Sequence, residues 1–95
     1  MSASKVAIHL INNCLSLKYF DAYMFGSTLK GVGRDIDILI VGPSGRALSS
    51  LKEEMLIASR ELPLDVLYML PSEAIQTDFI RQKGCIELTT LAKKR

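Results

Sequence analysis

The sequence holds no tryptophan, a single histidine, two cysteines and three prolines in 95 residues. Each scarcity excludes something. With only Cys14, Cys85 and His9 to draw on, there is no CxxC pair and no Cys/His spacing, which argues against a zinc site. Cys14 falls in an apolar helical pattern and Cys85 in an apolar strand pattern. Two reduced, mostly buried thiols suit the cytoplasm, where the chain is expected to reside. No apolar run approaches the length of a membrane span, so no membrane partner is expected. The stretch from Val6 to Leu17 is interrupted by His9, Asn12 and Asn13 and lacks a small-residue cleavage site, so it does not read as a signal peptide. A surplus of one charge sign is missing too. The net charge is +2, and Lys93-Lys94-Arg95 reads as a solvated basic tail. With six aromatic residues besides, a nucleic-acid-binding face has little support.

What is present is ordinary for a folded chain: 48% apolar and 23% charged residues. The length suits a single domain spanning residues 1–95. Ser4 to Leu15 reads as an amphipathic helix, with Ala7, Leu10, Ile11, Cys14 and Leu15 on its apolar side and Ser2 or Ser4 as cap. His9 falls on the other side and reads as a solvated surface residue. Lys18 to Phe25 has the aromatic bulk of a strand and ends at Gly26. Asp35 to Val41 reads as a strand buried on both faces, since Ile38-Leu39-Ile40-Val41 is uninterrupted. Arg46 to Arg60 repeats Leu48, Leu51, Met55 and Ala58 at helical spacing. Leu64 to Leu70 is a third strand. Pro71-Ser72 opens a third helix with Ile75, Phe79 and Ile80 on one face, and Gly84 ends it. Cys85 to Leu88 is a short last strand and Thr89 to Arg95 a final turn or helix stub. The order predicts an α/β (α+β) fold, a small mixed sheet with helices packed on it.

The chemistry concentrates in two places. Met24-Phe25-Gly26-Ser27 is a strand running into a Gly-Ser turn, and Asp35-Ile36-Asp37 opens the next strand. Side chains two apart on a strand share a face, so both carboxylates point together behind a turn that can hold phosphate. Close carboxylates repel unless a cation sits between them, which suits magnesium carrying a nucleoside triphosphate. The second place is Asp65, the only acid in Leu64 to Leu70. A carboxylate buried in an apolar strand costs several kcal/mol unless compensated. A cation shared with Asp35 and Asp37 would compensate it. So would a structural ion pair with Arg34, Lys18 or Arg60.

Gly-Ser, then Asp-x-Asp on a strand, then one Asp on a later strand resembles the nucleotidyltransferase superfamily that includes DNA polymerase beta. The run Phe25-Gly26-Ser27-Thr28-Leu29-Lys30-Gly31 is most similar to the minimal nucleotidyltransferases of bacteria and archaea. Phe79-Ile80-Arg81-Gln82-Lys83-Gly84-Cys85-Ile86 resembles their closing helix, turn and strand, and the likeness spans Tyr19 to Leu88. The resemblance implies triphosphate binding at Gly26 and Ser27, with Lys30 steadying phosphate. It implies two magnesium ions on Asp35 and Asp37, with Asp65 as a further ligand that helps activate the acceptor hydroxyl. ATP is the expected donor. Two departures stand out. The seven residues between Ser27 and Asp35 make a shorter connection than in many relatives, which Gly31 and Gly33 would permit. Arg34 occupies a position where a small residue is common.

The resemblance implies transfer of a nucleoside monophosphate to a hydroxyl acceptor. It further implies a helical HEPN-like partner protein, or a second copy, in a toxin–antitoxin or defence pair. A competing reading keeps the fold but assigns it to protein–protein binding with weak or no catalysis.

Overall fold

The computed structural model describes residues 2–93. Its centre is a four-stranded mixed sheet in the order β3-β2-β1-β4. The strands are β1 (Asp21–Phe25), β2 (Ile36–Val41), β3 (Leu64–Met69) and β4 (Ile86–Glu87). β1 lies antiparallel to β2 and to β4, whereas β2 and β3 run parallel. A parallel pair needs a crossover, and helix α2 (Arg46–Ala58) supplies it.

The alternation of β2 sets the two layers. Ile36, Ile38 and Ile40 face one side and pack with Val6, Ala7 and Leu10 of α1 (Ala3–Asn13) and Leu51, Met55 and Ala58 of α2. Leu88 and Leu91 of α5 (Leu88–Lys93) complete that core. Leu39 and Val41 face the other side, under Ala74 of α3 (Pro71–Thr77) and Phe79 and Ile80 of α4 (Phe79–Gln82). β2 is therefore covered on both faces, as its unbroken apolar run requires. Each fully buried Ile or Leu contributes roughly 1.5–3 kcal/mol.

Several local expectations change. Lys18 to Phe20 is not strand: Leu15–Tyr19 forms a 3-10 turn that Phe20 closes, held because Glu54 of α2 accepts hydrogen bonds from both the Ser16 amide and its hydroxyl at 2.9 Å. Leu15 consequently points outward, 71% exposed. The helix expected from Pro71 to Gly84 is broken at Asp78, which sits at φ 50. The break turns Phe79 edge-on to Phe25, with ring centroids 5.1 Å apart. Ile75 falls on the far side of α3 and is 79% exposed instead of packed. Leu88 belongs to α5, not to the last strand. Ser2 caps α1, its hydroxyl accepting from the Lys5 amide at 3.2 Å. His9 is half-buried, with its Nε2 3.5 Å from a Glu61 carboxylate oxygen, rather than standing free in solvent. The end of the basic tail, Lys94-Arg95, lies outside the described residues. Among the described residues no helix is long and apolar enough to cross a membrane.

Candidate active site

Register brings the key residues to one end of the sheet. In the parallel β2–β3 pair Asp37 lies directly beside Asp65. In-register neighbours on adjacent strands share a face, with backbones about 4.8 Å apart. In the antiparallel β1–β2 pair Phe25 lies opposite Asp37, so Gly26 and Ser27 emerge from β1 beside the same carboxylate. One antiparallel and one parallel pairing thus bring the Gly-Ser turn and the two acids together from three separate strands.

The contact at Gly26 is close. Its φ is +81, and a Cβ built there would overlap Oδ2 of Asp37. Only glycine combines that backbone conformation with room for the carboxylate. Ser27 begins a 3-10 turn, Ser27–Lys30, closed by the Gly31 amide on the Thr28 carbonyl at 3.0 Å. Gly33 lies equally close to the Ser27 hydroxyl, so the short connection folds back on its own start. Lys30 is exposed at the end of the turn.

Asp35 stands one residue before β2, exposed, its backbone carbonyl accepting from the Thr28 hydroxyl at 3.0 Å. Asp37 is half-buried. Burial first, then the charges of Asp65 and Asp35, push its carboxyl above the usual carboxylate range. Asp65 is exposed because β3 is an edge strand, so the expected burial penalty does not arise there. None of the three acids forms an ion pair with another described residue, so the pairings with Arg34, Lys18 or Arg60 are not found.

The donor set suits a hard divalent cation: carboxylates only, two of them adjacent on one face, with the charged form of Asp37 disfavoured by burial and then by its acidic neighbours. Among the described residues, however, no three His, Cys, Asp or Glu side chains are gathered into a metal-holding cluster. Asp37 and Asp65 are brought together, and Asp35 stays at the margin. A groove of about 350 Å³ flanks the connection, lined by Thr28, Val32, Arg34, Ile36, Glu61 and Pro63 among others. None of the three acids lines it.

Two contributors escaped the sequence reading. Thr28 fixes the approach to β2, and its place in the Gly-Ser turn was the available signal. Phe79 braces Phe25, the residue before Gly26, across the break at Asp78, for which no sequence signal existed.

A family model described as a nucleotidyltransferase domain matches residues 10–88. No curated protein and no solved structure gives a significant match.

Proposed function

This chain belongs to the nucleotidyltransferase domain family, and from that premise we propose that it transfers a nucleoside monophosphate from ATP to a hydroxyl on a partner protein in a magnesium-dependent reaction. The observation that carries the reading is the register pairing of Asp37 with Asp65 beside the Gly26–Ser27 turn. Gly26 admits the Asp37 carboxylate against the turn, the Ser27 hydroxyl and the amides at the start of the turn would donate hydrogen bonds to phosphate, and Lys30 adds positive charge. Asp37 and Asp65, with Asp35, would hold magnesium, which when bound offsets negative charge on the phosphate oxygens. Asp65, exposed at the sheet edge, accepts the proton as the acceptor hydroxyl oxygen bonds to the α-phosphorus. The bond from that phosphorus to the bridging oxygen breaks, and pyrophosphate leaves. The exposure of Asp35 and Asp65 supports an acceptor brought by a separate molecule, with a helical HEPN-like protein as the candidate and an antitoxin-like role for this chain.

A second reading, binding without transfer, draws on the absence of a three-acid cluster among the described residues. One experiment separates the two. The chain is incubated with each labelled triphosphate and magnesium, with and without the helical product of any adjacent gene, and cells are tested for protection against that product. Asp35→Ala and Asp37→Ala should each lower transfer by about a hundredfold or more, and Ser27→Ala less, because backbone amides remain. Both Asp variants should also lose protection while still folding. Full protection by folded Asp variants would establish binding as the activity instead.

A further inference from the structure

The sheet ends on β4 at one side and on β3 at the other. β4 has only two residues, but β3 has six. β3 pairs with β2 alone, so the outward N–H and C=O groups of Val66 and Tyr68 meet no strand among the described residues, whereas the Leu64 N–H already donates to the Leu62 carbonyl at 2.8 Å. Folded proteins usually blunt such an edge with lysine, proline or a bulge. Leu64 to Met69 contains no lysine and no proline, its one charge, Asp65, belongs to the acid pair, and its pairing to β2 runs without a bulge. Leu67 is 39% exposed there. Beside the edge runs a groove of about 420 Å³, lined by Met55, Leu56, Leu64, Val66, Tyr68 and Lys52 among others. The unpaired backbone calls for another extended strand, and the flanking groove calls for an apolar one.

We propose that β3 pairs antiparallel with β3 of a second copy, across a two-fold axis at Leu67, to form one continuous sheet. The sequence of the edge selects this occupant and this register. A two-fold axis perpendicular to the sheet keeps each face continuous only when it passes through a residue, because neighbours across strands must share a face. An axis at Asp65 would set two carboxylates against each other, which is unfavourable. An axis at Val66 would place Pro63 opposite Met69, where proline has no N–H to give. An axis at Tyr68 would bring Pro71, the first residue of α3, opposite Asp65. At Leu67 the two bracketing prolines, Pro63 and Pro71, fall opposite each other and outside the ladder. Val66 then meets the partner's Tyr68, a β-branched and aromatic pair, on the face of the larger core. Asp65 meets the partner's Met69 on the opposite face. Leu67 meets the partner's Leu67. Asp65 thereby gains a second strand neighbour through its backbone edge, while the sheet face on which its carboxylate stands stays open to an acceptor.

The test is sedimentation equilibrium on the full chain over a wide concentration range, with far-UV circular dichroism on every variant. The wild type should pass from monomer to dimer. Leu67→Lys and Leu67→Glu should each weaken the dimer by about tenfold or more, since each places like charges face to face. A one-to-one mixture of the two variants should restore it, because residue 67 faces its own counterpart. Leu67→Cys should give a disulfide-linked dimer on mild oxidation while the wild type does not, and this arm decides the matter if the charged variants fail to fold. A wild type that stays monomeric throughout, a mixture of folded variants that stays monomeric, or a Leu67→Cys chain that does not cross-link would each overturn the proposal. None of these readouts depends on nucleotide transfer.

Discussion

Asp37 holds a charge that its surroundings resist. Burial and the two acids beside it raise its folded pKa above the unfolded value. Below the unfolded value, about 3.9 for Asp, both states carry the proton and the native state is not penalised. As pH rises through the folded pKa, the native state takes on an unfavourable charge and loses stability. Asp37→Asn should therefore raise the melting temperature by a few degrees at pH 7 in chelator, and the gain should vanish at about pH 3. Added magnesium should raise the melting temperature of the wild type and leave the Asn variant nearly unmoved, which thermal melts with and without the ion will read. The neighbouring glycine gives a complementary test. Gly26→Ala meets both a left-handed backbone and the Asp37 carboxylate. It should cost at least about 1–2 kcal/mol by denaturant unfolding. In an Asp37→Gly background the same change should cost measurably less, because the carboxylate part of the clash is gone.

Elements are where sequence and structure agree best and where they part. The apolar run of β2 announced a central strand, and the ordered acids announced which strands would meet. The run Leu64 to Leu70 looked equally buried, yet β3 is an edge, and composition alone does not distinguish an edge strand from a central one. That is why the burial expected for Asp65 was misplaced while its position beside Asp37 was legible. Tyr19 and Phe20 carried strand-like bulk, but the decision there belonged to Glu54, distant in sequence, which captures Ser16 and bends the chain into a 3-10 turn. Tertiary contacts of this kind leave no local trace. The same contact makes a prediction: Glu54→Ala strands two donors and should cost about 2 kcal/mol in urea unfolding, as hydrogen bonds to a charged acceptor do. Glu54→Gln, which keeps an acceptor, should cost less. The break at Asp78 was also hidden, because the apolar spacing of Ile75, Phe79 and Ile80 suits one continuous helix.

Across the whole molecule, the two faces of the sheet divide the labour. The larger core, under α1, α2 and α5, contains Cys14, which is 1% exposed and donates to the Met55 sulfur at 3.6 Å. Burial, and to a lesser degree Glu54, pushes its thiol up to about 11. Cys14 should therefore react with iodoacetamide at pH 8 only through opening of this core, far more slowly than half-buried Cys85. Mass spectrometry of labelled peptides would read both rates, and Glu54→Ala should speed the labelling of Cys14 by about tenfold for each 1.4 kcal/mol of stability it loses. The smaller face carries the acids, and there the pairing of Asp37 with Asp65 behaves like a reading frame. Loops around it can lengthen or shorten freely, since they change only the path between strands. Inserting one residue between Leu64 and Asp65, with Leu64 held opposite Ile36 and the rest of β3 slid along by one, would place Asp65 opposite Ile38, facing the larger core, and leave the inserted residue beside Asp37. Inserting two would return it to the correct face, displaced along the strand by about 6.6 Å. The site is thus written in parity: odd changes within these strands erase it, and even ones move it.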